Sequence, residues 1–529
     1  MSNNFTQNAR VSDRVNKSWG YNVGPGPIWE LVEDRGWYKE AMKNTLDMDS
    51  DGNRRPKVYK NILVKSGWQV LDKRDAAIFL PTDVVTTEEG NFKPPPPVTC
   101  LLGPFGEQTE TKIEMFQSHK MSEFFPEATA HVFNAGAPVW GLDWCPTHID
   151  DRPAFHFKQY LAVAPFPSAS HSPDIGAKVV QRGRKHKEPD LGEMKCEMVL
   201  CVEGGPAHEL KWCPLPSHDD VGFSSNRRPR KLGLLSGIFE DGSWSIYVVP
   251  YPTDVTPEHG ASHHVYVHLP EPLLRIELEE TSCWTCDWAN SEQVAIGTTN
   301  DVINAMAFSP FGGGPVTIDH ENIVKAYSAS PSMLGRGHTL LEPQGPVWSV
   351  NASDLHPQLA VGSADGCCTT TNLLRSTRRG GSVPFFIHKI YQLDYSRTTG
   401  MYRMLERFFP QETQDRPATK AKVTKASNPK VTHDGATQEQ ERIKASTVGT
   451  GAWPREVGVH RVTWNSCNGL ASSGLLASAT ASGLCRVDEL WGRWIKEKVP
   501  YGGIEHIRQE MDDNVMDVDG VSDDSAGSS

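Results

Sequence analysis

Two cationic stretches carry the residues best suited to contact another macromolecule: Gln181-Arg182-Gly183-Arg184-Lys185-His186-Lys187 and Asn226-Arg227-Arg228-Pro229-Arg230-Lys231. Clusters of this kind neutralise phosphates, act as nuclear-import signals, or stand solvated on a loop. Aromatic side chains are not interleaved with them, which disfavours stacking on a single strand. The candidate nucleic-acid contacts are therefore Arg182, Arg184, Lys185, Lys187, Arg227, Arg228, Arg230 and Lys231. Their expected role is auxiliary phosphate contact and not base readout.

Other motifs offer chemistry on paper. Cys283-Trp284-Thr285-Cys286 has the spacing of a redox pair or of half a zinc site. No second C-x-x-C accompanies it, and its alternating context predicts thiols on opposite faces of a strand, so a packing role is expected. His259, His263, His264 and His268 cluster in a Pro-flanked stretch, without a helix to align them or an acidic partner close by. Metal binding there is disfavoured. Gly312-Gly313-Gly314 lies between prolines with no following Lys, and reads as a turn. The chain contains no G-x-x-x-x-G-K-[ST], H-E-x-x-H or G-x-S-x-G pattern. Phosphate-loop, zincin and serine-hydrolase chemistry thus lack sequence support, and neither an enzyme, a cofactor nor a metal is expected.

The elements that must hold these residues are short. The 45 Gly and 38 Pro residues among 529 disfavour a helical bundle and favour many short strands joined by turns. No apolar run approaches the ~18 residues of a membrane span. The polar segment Met1 to Trp19 lacks the apolar core of a secretory signal, so an intracellular protein with reduced thiols is expected. The net charge is −12, yet Glu505 to Ser529 holds eight acidic residues against one Arg. The body is therefore near-neutral, with basic loops and an acidic tail.

Self-comparison reveals a repeat. Gly136-Ala137-Pro138-Val139-Trp140-Gly141-Leu142-Asp143-Trp144-Cys145-Pro146 recurs as Gly204-Gly205-Pro206-Ala207-His208-Glu209-Leu210-Lys211-Trp212-Cys213-Pro214. Shorter echoes occur at Ser282–Trp288, Gly345–Val350 and Val457–Trp464. Each alternates apolar with polar or small residues, the period of a half-buried strand. After each comes a second strand of small residues, such as Leu359-Ala360-Val361-Gly362-Ser363 or Leu476-Ala477-Ser478-Ala479-Thr480. Asp241-Gly242, Asp365-Gly366 and Ser482-Gly483 then read as hairpin turns. The repeated Trp144, Trp212, Trp288 and Trp464, and with them Trp140, Trp284 and Trp348, are expected to fill the core between repeats.

This grammar is that of a WD40-type β-propeller, an all-β fold. The aligned Trp or His positions, 140, 208, 284, 348 and 460, lie further apart than the ~40–45 residues of one blade. Insertions are expected at about 165–195, 215–231, 250–270 and 410–450. About six blades fit what remains, and Val98 to Phe125 is counted as one more, for seven. Residues 1–97 read as an N-terminal extension with a short helix and a Pro-rich linker, residues 98–500 as the propeller, and residues 501–529 as an acidic tail expected to be disordered.

Phe133-Asn134-Ala135-Gly136-Ala137-Pro138-Val139-Trp140-Gly141-Leu142-Asp143-Trp144-Cys145-Pro146, with Gln159-Tyr160-Leu161-Ala162-Val163 after it, resembles one WD40 family in particular. So do Leu232 to Gly242 and Pro272-Leu273-Leu274-Arg275-Ile276. That family is the propeller subunit of the RNA polymerase III transcription factor TFIIIC, in the B-box-binding half of the complex, and the likeness runs from about residue 95 to 500. The resemblance implies a nuclear, non-enzymatic scaffold. Its implied partners are the largest, winged-helix subunit of TFIIIC, the other TFIIIC subunits, and DNA (the B box) mainly within the complex. Supporting transcription initiation at tRNA-type genes is the function it implies, with no membrane and no small-molecule substrate. A WD40 adaptor of another nuclear complex, a chromatin factor or a ubiquitin-ligase substrate receptor, is the alternative, because the fold does not fix the function.

Overall fold

The computed structural model describes residues 56–82, 93–104, 106–125, 128–166, 176–182, 192–220, 228–256, 264–279, 281–288, 294–298, 306–309, 314–318, 323–327, 337–341, 343–353, 356, 358–372, 386–406, 411–412, 453–468 and 472–490. These residues build an all-β structure of six sheets. The short helix expected near Trp29 and the acidic tail fall outside them.

Each of five sheets begins with one copy of the repeat, called its lead strand here. Sheet I starts at Val139–Trp144, sheet II at Ala207–Trp212, sheet III at Cys283–Trp288, sheet V at Val347–Ala352 and sheet VI at Val459–Trp464. Sheet IV holds Met306–Ser309, Gly314–Ile318, Val324–Tyr327 and Gly337–Leu341. In each of the five, the second strand returns antiparallel, as Gln159–Pro165 does in sheet I and Leu475–Thr480 in sheet VI. The small residues of these second strands let sheets approach closely. A Cβ on Gly362 would lie 2.7 Å from the Val459 carbonyl oxygen of the next sheet. The hairpin turns carry Gly242, Gly366 and Gly483 at φ of 81°, 79° and 85°, the left-handed region that only glycine enters without strain.

Lead strands lie side by side, VI against I, I against II, II against III, IV against V and V against VI. The apolar cores fill the spaces between neighbouring sheets and not one central mass. Leu142, Trp144 and Leu161 meet Leu475, Ala477 and Val487 between I and VI. Ala162, Leu210, Trp212 and Leu235 fill the space between I and II. Val459, Trp464 and Leu476 pack against Ala360, Tyr391 and Leu393 between V and VI. Cores on both faces of sheet II explain why its second strand, Lys231–Phe239, is buried at every position.

Segments from early and late in the chain share sheet VI. Leu484–Glu489, near the C-terminal end, pairs antiparallel with His131–Asn134, which in turn pairs with Ser118–Lys120. Val98–Leu102 and Thr109–Ile113 extend sheet V instead, through a parallel pairing with Met401–Glu406. Hence Val98 to Phe125, counted from sequence as a blade, forms no sheet of its own. Its strands are short and need ready-made edges to satisfy their backbone groups.

Segments expected as loops also enter sheets. Gly176–Arg182 and Val265–His268, inside two predicted insertions, are strands of sheet I, and Val265–His268 runs parallel to Cys196–Cys201. Gln69–Leu71, from the N-terminal extension, closes that edge. Ala76, Phe79 and Leu80 pack nearby against Val199 and Tyr266. Parallel partners distant in sequence leave no turn signal to find. Among the described residues no helix is long and apolar enough to cross a membrane.

Candidate functional site

The lead strands share a device that alternation alone does not predict. In each of the five repeats the register to the second strand slips after the first residue, between Val139 and Gly141, Ala207 and Glu209, Cys283 and Thr285, Val347 and Ser349, and Val459 and Arg461. The residue in the bulge is the aligned Trp140, His208, Trp284, Trp348 or His460. A bulge leaves one residue out of the ladder and re-aims its side chain.

Those five side chains meet. Trp140 lies 4.3 Å from His460 and 5.9 Å from Trp348 between ring centroids, and Trp348 lies 5.7 Å from His460. On the other side Phe166 links Trp140 to His208, and His208 stacks on Trp284 at 5.6 Å. The result is an arc of rings over one end of the lead strands. Trp284 is 50% and Trp348 39% exposed, in contrast to the core role expected of both. Trp140 is half-buried, while Trp144, Trp212, Trp288 and Trp464, each four residues after its bulge residue, are buried between sheets. The bulge therefore divides the repeated tryptophans into two sets.

Arg461 anchors the arc. Its Nε donates to the Trp140 carbonyl and its Nη2 to the His208 carbonyl at 3.0 Å, tying sheet VI to sheets I and II. The guanidinium lies 5.5 Å from the centre of the Trp140 ring. Sequence comparison aligns the bulge residues, but it gives Arg461 no role, because the position after the bulge residue is Gly, Glu, Thr, Ser and Arg in turn.

Further along, polar side chains of one lead strand accept the backbone N–H groups of the next. Asp143 Oδ2 accepts from Trp212 at 2.7 Å and Glu209 Oε2 from Cys286 at 3.0 Å. Asn351 Oδ1 accepts from Trp464 at 2.9 Å, and Ser349 Oγ from Val462 at 3.2 Å. Each lead strand is a sheet edge, so these bonds satisfy N–H groups that have no ladder partner. Enclosure among lead strands pushes the Asp143 carboxyl up to about 6, against the pull of Lys211 and the Trp212 N–H. Burial works against the Lys211 charge, but Asp287, Asp143 and Glu209 outweigh it and hold the ammonium protonated. Asp143→Ala is expected to lower stability by about 1–2 kcal/mol in denaturant unfolding, because the Trp212 N–H loses its acceptor. An unchanged midpoint would show that the acceptor is dispensable.

The basic candidates fare unevenly. Lys231 is buried, not poised for phosphate. Its ammonium donates to the Tyr59 carbonyl at 2.7 Å and to the Ile62 carbonyl, clamping the N-terminal segment to sheet II. Arg230 is bound bidentate by Asp254, at 2.8 and 2.6 Å, and lies over the Tyr251 ring. Both were legible only as positive charge; their partners come from segments 24 to 172 residues away. Arg228 is exposed. Arg182 lies in a strand of sheet I. Arg184, Lys185, Lys187 and Arg227 lie outside the described residues.

The C-x-x-C also changes. The bulge at Trp284 breaks the alternation, so Cys283 and Cys286 both turn into the core shared by sheets II and III. Burial raises both thiols above their ordinary range, Cys286 the further, which disfavours a thiolate. Among the described residues no cysteine is in a disulfide. His264 bonds the Tyr266 hydroxyl at 2.7 Å and His268 the Glu203 carboxylate at 2.8 Å; His259 and His263 lie outside the described residues. No group of three or more metal-ligating side chains occurs among the described residues.

What the site presents is an aromatic surface with the Arg461 guanidinium set among its rings. No protein-family model matches the chain. Over 438 residues it is 22% identical to "Transcription factor tau subunit sfc6" of Schizosaccharomyces pombe. The alignment covers 69% of this chain and 66% of that protein, just under two thirds of the relative's length. By sequence, the chain is thus similar, at a distance, to a subunit of a transcription factor.

Proposed function

We propose that this chain is a non-enzymatic scaffold subunit of TFIIIC, the factor that yeast nomenclature calls tau. The similarity to the fission-yeast tau subunit carries this reading. The fold supports it: sheets with cores between neighbours, lead strands packed in succession, and one sheet that joins His131–Asn134 to the C-terminal strands. These features support a WD40-type propeller, a fold that offers several rigid faces to partners. In this reading the protein is nuclear and meets the winged-helix subunit and other TFIIIC subunits. It supports B-box recognition and RNA polymerase III initiation at tRNA-type genes. DNA contact is auxiliary and falls to the basic stretches around residues 182–187 and 227–228, since Arg230 and Lys231 are engaged within the fold.

Affinity purification of the tagged protein from nuclear extract of its own source, with mass spectrometry and a B-box gel shift on the eluate, tests the reading. Recovery of the winged-helix subunit with B-box binding is the expected result. Recovery of a chromatin or ubiquitin-ligase complex, with no B-box shift, would assign the protein to a different nuclear adaptor. For the isolated chain, DNA binding is expected to be weak, indifferent to sequence and lost as salt rises.

A further inference from the structure

The arc of bulge residues is built to hold something. Large aromatic side chains exposed side by side mark interaction surfaces, and tryptophan is among the residues that dominate binding energy when a partner covers it. Trp284 and Trp348, at 50% and 39% exposure, stand at the two ends of one connected arc through His208, Trp140 and His460.

The donors in the arc indicate what it would hold. Among the described residues no carboxylate pairs with Arg461, whose Nε, Nη1 and Nη2 reach only the carbonyl oxygens of Trp140, His460 and His208. A guanidinium has five N–H groups, so donors remain beyond those bonds. The indole Nε1 of Trp140 is enclosed and has no acceptor among the described residues. A cation with no acid and a buried donor with no acceptor, set between apolar rings, favour a carboxylate, because charge-assisted bonds in a partly desolvated setting are the stronger ones.

The surroundings distinguish a peptide from a nucleic acid. A nucleic-acid groove needs a row of cations along the backbone. Here Arg461 is the cation of the arc, and the acceptor positions of the lead strands below it carry Asp143 and Glu209. A polyphosphate would find one guanidinium among the rings in place of a row of cations, whereas an acidic side chain beside an aromatic one needs a single donor site and rings to cover.

We propose that the arc formed by Trp140, His208, Trp284, Trp348, His460 and Arg461 is a docking site for an extended peptide of a partner protein, with an Asp or Glu bound at Arg461 and a neighbouring aromatic residue laid on Trp284 or Trp348. The site stands on the geometry of the bulges and does not depend on the complex to which the chain belongs.

The test uses the full chain and three fluorescein-labelled probes: the peptide Gly-Asp-Glu-Phe-Asp-Glu-Gly, its counterpart with Lys at every acidic position, and oligothymidine. Fluorescence polarisation is expected to show binding of the acidic peptide that weakens with salt. The Trp284→Ala, Trp348→Ala double variant is expected to bind about tenfold more weakly or worse, with its thermal melt close to that of the parent because both rings are exposed. Arg461→Gln should lose the preference for the acidic over the basic peptide, with circular dichroism confirming that it is folded. Three results would overturn the proposal: no binding of the acidic peptide, equal binding by the double variant, or preference for the basic peptide. Tighter binding of oligothymidine would overturn it in favour of a nucleic-acid surface.

Discussion

Arg486→Leu is expected to cost about 3–5 kcal/mol, the range found when one partner of a buried charge cluster is removed. Arg486 lies in the last strand of sheet VI. Its Nη2 bonds Asp488 Oδ1 at 2.7 Å on the same strand, and its Nη1 bonds Glu406 Oε1 at 2.6 Å on sheet V. The guanidinium also lies 5.2 Å from the centre of the Tyr391 ring, whose hydroxyl donates to Ser478 at 2.9 Å. All three charged groups are buried, and burial already pushes the Asp488 carboxyl up despite the guanidinium beside it. Leucine would leave two enclosed carboxylates with no counter-charge.

The site makes the effect larger than a local loss. The same strand pairs with His131–Asn134, so Arg486 fastens the sheet in which an early segment of the chain meets the C-terminal strands. Domain stabilities run to about 5–15 kcal/mol, and a loss of this size takes a large share of that. Denaturant unfolding of Arg486→Leu against the parent measures it. A shift under about 1 kcal/mol would mean that the cluster is hydrated, as surface pairs are.

The second expectation is a contrast between two tryptophans of the same repeat. Trp144→Ala should destabilise by about 3–5 kcal/mol. Its ring is 2% exposed between sheets I and VI, and its Nε1 points to the Thr463 carbonyl at 3.4 Å. Trp284→Ala should change stability by about 0.5 kcal/mol or less, as surface substitutions do. Thermal and denaturant melts of the two variants side by side decide the matter. Equal losses would place Trp284 in the core and remove the basis for a docking arc.

That contrast also separates what is readable in the chain from what is not. Alternation of apolar and polar residues over Val139–Trp144 and its copies is a local property, since successive side chains of a strand point to opposite faces. The repeated strands, the small-residue strands after them and the glycine turns at 242, 366 and 483 are therefore written in the sequence. So is the all-β class, which follows from short periodic segments broken by Gly and Pro.

The bulge is different. It depends on how two strands settle their register against neighbouring sheets, and nothing in Val-Trp-Gly or Cys-Trp-Thr marks it. That one slip turns Trp284 and Trp348 outward, and it brings Cys283 and Cys286 to the same side where simple alternation separates them. The fates of Lys231 and Arg230 were equally hidden, because a positive charge is legible in sequence while the carbonyls and carboxylate that engage it arrive from remote segments.

Sequence by itself determined the repeat, the strand class of each copy and the positions of the tight turns, because each rests on neighbours within a few residues. Tertiary structure alone decided which copies became sheets, which insertions supplied extra strands and which charges were enclosed. It also decided which tryptophans were buried and which were left to meet a partner. Those outcomes depend on backbone N–H and carbonyl groups finding partners across the whole chain, and no local pattern carries that information.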